Sequence, residues 1–194
     1  MKIKLGILFG GKSVEHEVPT IPALQAAASI DRTKYDVVYL YMTRQNTFFT
    51  GEAAGNIENY RHGLKAVTDQ CQQVLLIPAD GRVELIRYPM KKLGNNLVDT
   101  LDVIFPIVHG TNVEDGALQG YLKTLGVPFV GCDVLASALG MDKYMMKCVW
   151  KEAGLPVLPC LKTGIRDYLA GPEGFLDQVE RKIGYPVIVK PVDL

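Results

Sequence analysis

Apolar residues crowd into a few short runs along the chain. Ile3–Phe9, Tyr35–Met42 and Val103–Val108 are almost continuously hydrophobic and rich in β-branched or aromatic residues, the pattern of strands covered on both faces. Gly10-Gly11 breaks the first run, and the polar segment Lys12–Val18 comes next, with Glu15 and Glu17 where a helix would start. Ala23–Ile30 holds strong helix formers, and Pro19 and Pro22 confine the regular helix to the residues after them. Strand, glycine turn, helix and strand make a right-handed βαβ start. Polarity then rises from Thr43 to Gly63, with room for a short helix within Asn56–Leu64. Val74–Pro78 and Val83–Tyr88, joined by Ala79-Asp80-Gly81, predict a β-hairpin inserted at an edge of the sheet. After Val103–Val108 a helix is expected from Glu114 to Leu125, stopped by Gly126, and a short strand over Val127–Gly131.

A second unit begins near Cys132. Val134–Leu139 is helical and interrupted by Gly140, and Asp142 is placed to cap a helix running to Ala153. Leu155–Leu161 predicts an edge strand, Pro172–Ile183 an amphipathic helix, and Tyr185–Pro191 a β-branched strand that carries Lys190. Two strands and about three helices are too little to cover both faces of Val187–Val189. The 194 residues therefore read as a fragment, a truncated product or one piece of a larger fold.

Composition narrows the class. The chain is 48% hydrophobic and 22% charged, with a formal net charge of zero, an ordinary globular balance that argues against broad attraction to nucleic acid or membranes. Cys71, Cys132, Cys148 and Cys160 form no C-x-x-C pair and no ligand spacing with histidine, which argues against zinc and against a disulfide framework. A reducing, cytoplasmic setting fits. The apolar run after Met1 is too short for a signal peptide.

Candidate chemistry gathers where the third hydrophobic run stops, at His109-Gly110, with Glu114-Asp115-Gly116 soon after. Ligand crevices in open α/β sheets lie beyond the carboxyl ends of the strands, so His109 marks a site there. The two carboxylates would also be favoured simply by a helix amino terminus. Gly6–Ser13 matches G-x-x-x-x-G-K-[ST] letter for letter. A phosphate-cradling loop, however, needs its first glycine after the strand, whereas Ile7, Leu8 and Phe9 read as strand residues.

Several motifs, in order, resemble the D-alanine:D-alanine ligase family of the ATP-grasp superfamily. They are Phe9-Gly10-Gly11 with Ser13 and Glu15-His16-Glu17-Val18; His109-Gly110; Glu114-Asp115-Gly116; Gln119-Gly120; Gly131; Ser137-Ala138; Met141-Asp142-Lys143; Ala153-Gly154; Pro156; and Val189-Lys190-Pro191. The resemblance covers this whole chain but only about the first half of a full-length ligase. It implies an α/β fold in which residues 1–131 form a Rossmann-like, parallel-sheet substrate domain and 132–194 the first part of the central ATP-binding domain. It further implies an ATP- and Mg2+-dependent enzyme that joins two D-alanine molecules through an acyl phosphate for peptidoglycan precursors, cytoplasmic and homodimeric when full length. Glu15 would hold the ammonium of the first D-alanine, with Val18 lining that subsite, His109 close to the same substrate and Glu114 supporting the group. Lys143 and Lys190 would contact ATP phosphates, and metal ligands would lie beyond this chain.

Residue chemistry agrees with these roles. An ammonium wants a carboxylate partner, and phosphoryl transfer is accelerated by positive charge around the γ-phosphate. Lys143 falls in a first helical turn, where the dipole disfavours a cation unless an anion is near. Two features depart from the family pattern. Pro19 stands where a small hydroxyl residue is more usual, and Val192-Asp193-Leu194 stands where a glycine- and serine-rich phosphate loop is expected. The fragment alone is expected to be inactive. The competing readings are a P-loop-type nucleotide hydrolase using Lys12 and Ser13, and a non-catalytic binding module.

Overall fold

A computed structural model describes residues 2–13, 15–16 and 18–193, apart from the side chain of His62. Val14 and Glu17, the latter part of the motif around Glu15, lie outside the described residues. The chain divides into two compact units, Met1–Ala138 and Leu139–Leu194.

The first hydrophobic run becomes β1 (Ile3–Gly10) and the second β2 (Tyr35–Met42), paired in parallel with Ile3 opposite Tyr35 and Gly10 opposite Met42. Between them α1 (Thr20–Ser29) begins earlier than the prolines suggested. Pro19 sits at its amino-terminal cap and Pro22 within its first turn, where a missing N–H leaves no intrahelical bond unmade. The segment before it, Lys12–Pro19, forms turns rather than a helix start among its described residues.

Seven strands make one sheet in the order β6-β5-β4-β3-β2-β1-β7. Only β7 (Val103–Ile107), β1 and β2 are parallel; β3 (Phe48–Thr50), β4 (Gln72–Ala79), β5 (Arg82–Arg87) and β6 (Leu97–Leu101) continue the sheet in antiparallel pairs. The expected hairpin is β4–β5, turned by Asp80 and Gly81, both at positive φ, as a two-residue loop with the twist of the strands requires. It is not an edge insertion, because β3 flanks it on one side and β6 on the other. The α/β architecture with a parallel heart thus holds, inside a mixed sheet.

Side-chain alternation along β1 feeds two cores. Leu5, Ile7 and Phe9 join Ala23 and Ala27 of α1 and Val67 of α2 (Leu64–Thr68) on one face. Leu8 joins Leu101, Ile104 and the α3 residues Leu118 and Leu122 on the other, α3 spanning Ala117–Thr124. Gly6 lies on that second face, where a Cβ would come within 2.7 Å of Leu101 Cδ1. The first glycine of the phosphate-loop lookalike is therefore a mid-strand residue that makes room for a neighbouring leucine. Ile7, Leu8 and Phe9, which such a loop would need free, are fully buried in β1.

One residue, Asp102, separates β6 from β7. Its backbone N–H donates to the Lys4 carbonyl (2.9 Å), its Oδ2 accepts from the Lys4 N–H (2.8 Å), and its Oδ1 pairs with Arg82 Nε (3.0 Å). The extended segment Leu97–Ile107 therefore pairs with β5 through its first half and with β1 through its second. Beyond α3, the stretch Val127–Gly131 makes only a single parallel bridge, Phe129 to Ile104, in place of the expected strand.

In the second unit, α5 (Lys143–Glu152), α6 (Ile165–Ala170) and α7 (Pro172–Lys182) form as amphipathic or capped helices. α4 (Val134–Met141) runs through Gly140, which does not interrupt it. No strand occurs among the described residues after β7: Leu155–Leu161 and Tyr185–Pro191 are irregular, with Ile188 and Val189 more than four-fifths exposed. A strand requires a hydrogen-bonded neighbour, and neither segment pairs with another. No described helix is long and apolar enough to cross a membrane.

Candidate active site

β1 and β7 are parallel neighbours, so their carboxyl ends emerge side by side, and the loops that leave them meet. Gly10 and Gly11, at φ +92° and +99°, turn the chain out of β1. A Cβ on Gly10 would run into the Met42 carbonyl, and one on Gly11 would come within 2.5 Å of Val113 Cγ1 in the loop after β7. Glycine is needed here both for the left-handed backbone and for the close approach.

The loop then closes on itself. The Ser13 N–H donates to the Gly11 carbonyl (3.0 Å), the Glu15 N–H to Ser13 Oγ (3.1 Å), and the Val18 N–H to the Glu15 carbonyl (2.9 Å). Ser13 is buried, whereas the side chains of Glu15 and Val18 are exposed. His16, next to Glu15, turns inward and is buried.

After β7, His109 is half-buried and Gly110 buried, the latter at φ +91°. Glu114 and Asp115 precede α3 rather than forming its first turn; the helix starts at Ala117 after Gly116, at φ +96°. Their carboxylates bind the loop itself. Glu114 Oε2 accepts from the Gly110 N–H (2.5 Å), while Asp115 accepts from the N–H groups of Asn112 (2.7 Å) and Ala117 (3.1 Å). The backbone, not the helix dipole, explains these two acids.

Two contacts join the loops. Asn112 Nδ2 donates to the Lys12 carbonyl (3.0 Å). A Cβ built on Gly110 would collide with Ser13 Oγ and lie 4.0 Å from Glu15 Cβ. Glu15, Val18, His109 and Glu114 are thereby gathered on one pair of loops at the carboxyl end of the sheet, although almost a hundred positions separate the first of them from the last. Beneath them Gln119 is buried; its Nε2 donates to the Val113 carbonyl (3.0 Å), and its Oε1 has no partner among the described residues.

Lys143 and Lys190 belong to the second unit. Asp142 caps α5 as expected, accepting from the N–H groups of Tyr144 (2.9 Å) and Met145 (2.8 Å), and leaves Lys143 as the first helical residue. The Lys143 N–H donates to the Val192 carbonyl (2.9 Å), which brings the segment just past the exposed Lys190 to the amino terminus of α5. Among the described residues no group of three or more His, Cys, Asp or Glu could hold a metal ion, and no magnesium ligand is assigned to this chain.

Sequence reasoning gave no role of their own to His16 and Gln119, which stood only within motifs, and it met Ser13 as part of the phosphate-loop pattern. The signal available was burial logic: polar residues between two left-handed glycines and a helix must find partners close by.

The sequence profile of the family described as "D-ala D-ala ligase N-terminus" matches residues 4–132. The chain belongs to this family. The D-alanine–D-alanine ligase of Geobacillus kaustophilus is 40% identical over 196 residues, covering all of this chain and 51% of its own length. D-alanine–D-alanine ligase A of Escherichia coli is 38% identical, covering 99% and 51%. The chain thus spans about half the length of the curated relatives it matches. Among solved structures, the D-alanine–D-alanine ligase of Coxiella burnetii superposes with a TM-score of 0.72 at 27% identity over 91% of this chain and 50% of that one. A D-Ala:D-Ser ligase from Enterococcus faecalis gives 0.71 at 28% over 100% and 53%.

Proposed function

We propose that the full-length protein carrying this chain is an ATP-dependent carboxylate–amine ligase that joins two D-alanine molecules for peptidoglycan precursors. Residues 1–131 serve as its substrate domain and 132–194 as the start of its ATP-binding domain, in a cytoplasmic homodimer. The observation that carries this reading is the meeting of the Glu15 loop with the His109-Gly110 loop at the carboxyl ends of β1 and β7, in a chain of this family.

The exposed Glu15 carboxylate would hold the ammonium of the first D-alanine through charge-assisted hydrogen bonds, with Val18 against its methyl group. His109 would lie near the same substrate, and Glu114, by fixing Gly110, would keep the imidazole loop in place. ATP, with Mg2+, supplies the phosphoryl group that activates the first carboxylate for attack by the second amine. Lys143 and Lys190 would hold its phosphates as compact point charges. Likeness to a D-Ala:D-Ser ligase as well as to D-Ala ligases puts the weight of the reading on the first subsite, since D-alanine is common to both kinds of ligase.

The test is D-alanine-dependent ADP release by the full-length protein. Glu15→Gln should raise the KM for D-alanine by about tenfold or more, the loss of one charged pairing, and Lys143→Ala should raise the KM for ATP instead. The 194-residue chain alone should release no ADP in response to D-alanine. An unchanged D-alanine KM in Glu15→Gln would defeat the reading.

A further inference from the structure

His16 is a buried imidazole that the roles assigned so far leave unused. Its Nδ1 lies 2.5 Å from the Gly11 carbonyl and its Nε2 2.7 Å from the Tyr41 hydroxyl. Both residues are about 1% exposed, and their rings meet edge to face at 5.6 Å. A carbonyl can only accept, so Nδ1 donates to Gly11, and Nε2 shares a hydrogen bond with the tyrosine hydroxyl.

Tyr41 itself is immobilised. It belongs to β2 and packs against Phe9 at 5.7 Å and Tyr60 at 6.5 Å between ring centroids, within the α1-side core. His16 thus links the backbone of the loop after β1, at Gly11, to the rigid end of β2. Glu15 donates its own N–H to Ser13 Oγ, and the side chain that follows it is locked into the core. Its carboxylate therefore emerges from a residue held through its own N–H and through the buried ring next to it.

We propose that His16 is a positioning residue for Glu15, and that the Gly11–His16–Tyr41 tie sets the placement of the carboxylate that receives the substrate ammonium. The inference rests on the ammonium-holding role of Glu15. A carboxylate on a loop loses its advantage when the loop must be ordered at the moment of binding, because preorganisation is what converts a charge pair into affinity. Stability alone does not call for this arrangement, since an apolar side chain could fill the space without needing two hydrogen-bond partners.

The experiment measures KM for D-alanine and for ATP in the full-length ligase carrying His16→Leu, His16→Asn, Tyr41→Phe, Glu15→Gln and the His16→Leu/Glu15→Gln pair, with thermal unfolding of each. His16→Leu should raise the D-alanine KM by about fivefold to tenfold, the effect of one or two lost hydrogen bonds, and leave the ATP KM within about twofold. Asparagine, which keeps a donor for Gly11, should restore part of the loss. In the Glu15→Gln background His16→Leu should add nothing further, because the group it positions is gone. If His16→Leu does not fold, Tyr41→Phe cuts the same tie by removing one oxygen and should show the same selective rise. A folded His16→Leu with an unchanged D-alanine KM, an equal rise in both KM values, or additivity in the pair would overturn the proposal while leaving the role of Glu15 intact. An unchanged KM in Glu15→Gln would overturn that role and the proposal together.

Discussion

Gly110, like Gly10, leaves no room for a side chain in the candidate site. Its φ of +91° lies where an L-residue is strained, and any Cβ there meets the Ser13 hydroxyl that holds the Glu15 N–H. Gly110→Ala should therefore cost about 1–3 kcal/mol of stability, read as a lower urea midpoint. Under the proposed function, it should also raise the full-length protein's KM for D-alanine more than that for ATP, because Ser13 must move. A variant with unaltered stability would show that the backbone here relaxes freely. His109 and Gly110 were legible from sequence as a strand end with a glycine after it. Ser13, His16 and Gln119 were not, because their importance comes from burial against partners that no local pattern reports: Gly110 and Tyr41, distant in the chain, and the Val113 carbonyl beneath the loop.

Among the elements, those with strong intrinsic signals formed as expected. The near-continuous apolar runs became β1, β2 and β7, the Asp-Gly turn made a hairpin, and Asp142 capped α5. Short strands were missed for a physical reason. Phe48–Thr50 and Leu97–Leu101 are too short to show alternation and are specified by the strands they pair with. The converse held in the second unit, where Tyr185–Pro191 has strand composition and no strand beside it.

The approach to α4 also carries a pH signature. Asp133, just ahead of α4, accepts from the Val134 N–H (2.6 Å) and pairs with Lys123 (3.0 Å). The Val134 N–H first, and Lys123 second, hold its carboxyl below the ordinary value of 3.8. A carboxylate whose folded-state pKa is depressed stabilises the fold above its unfolded pKa and loses that contribution as pH falls through the folded one. Asp133→Asn keeps an accepting oxygen but removes the charge. Its melting temperature should fall below that of the parent at neutral pH, and the gap should close as the pH falls from 3.8 through the lower folded-state value. A gap that persists in acid would point to lost geometry instead of lost charge.

For the whole molecule, the two units should differ sharply in how long they hold their amide protons. Strands β1, β2, β4 and β5, inner members of the sheet, should resist hydrogen exchange to near the global unfolding limit. Leu155–Leu161 and Tyr185–Pro191, with no ladder partners, should exchange within the first time points. Mass spectrometry of the 194-residue chain distinguishes the two cases, and slow exchange across Tyr185–Pro191 would contradict the irregular structure found there. A longer protein carrying this chain should protect the same segments if its further residues supply neighbouring strands.

The junction at Asp102 has its own consequence. Leu101 and Ile104 enter the same core although they are three residues apart, so the in-and-out phase of an extended chain is broken once, at this corner. The antiparallel and parallel halves of the sheet are therefore counted from a common origin. A single residue added between Leu101 and Ile104 would leave them four apart, the even spacing at which an unbroken extended chain keeps two side chains on one face. Such an insertion would do away with the corner and its Asp102 contacts while both Leu101 and Ile104 stayed in the core.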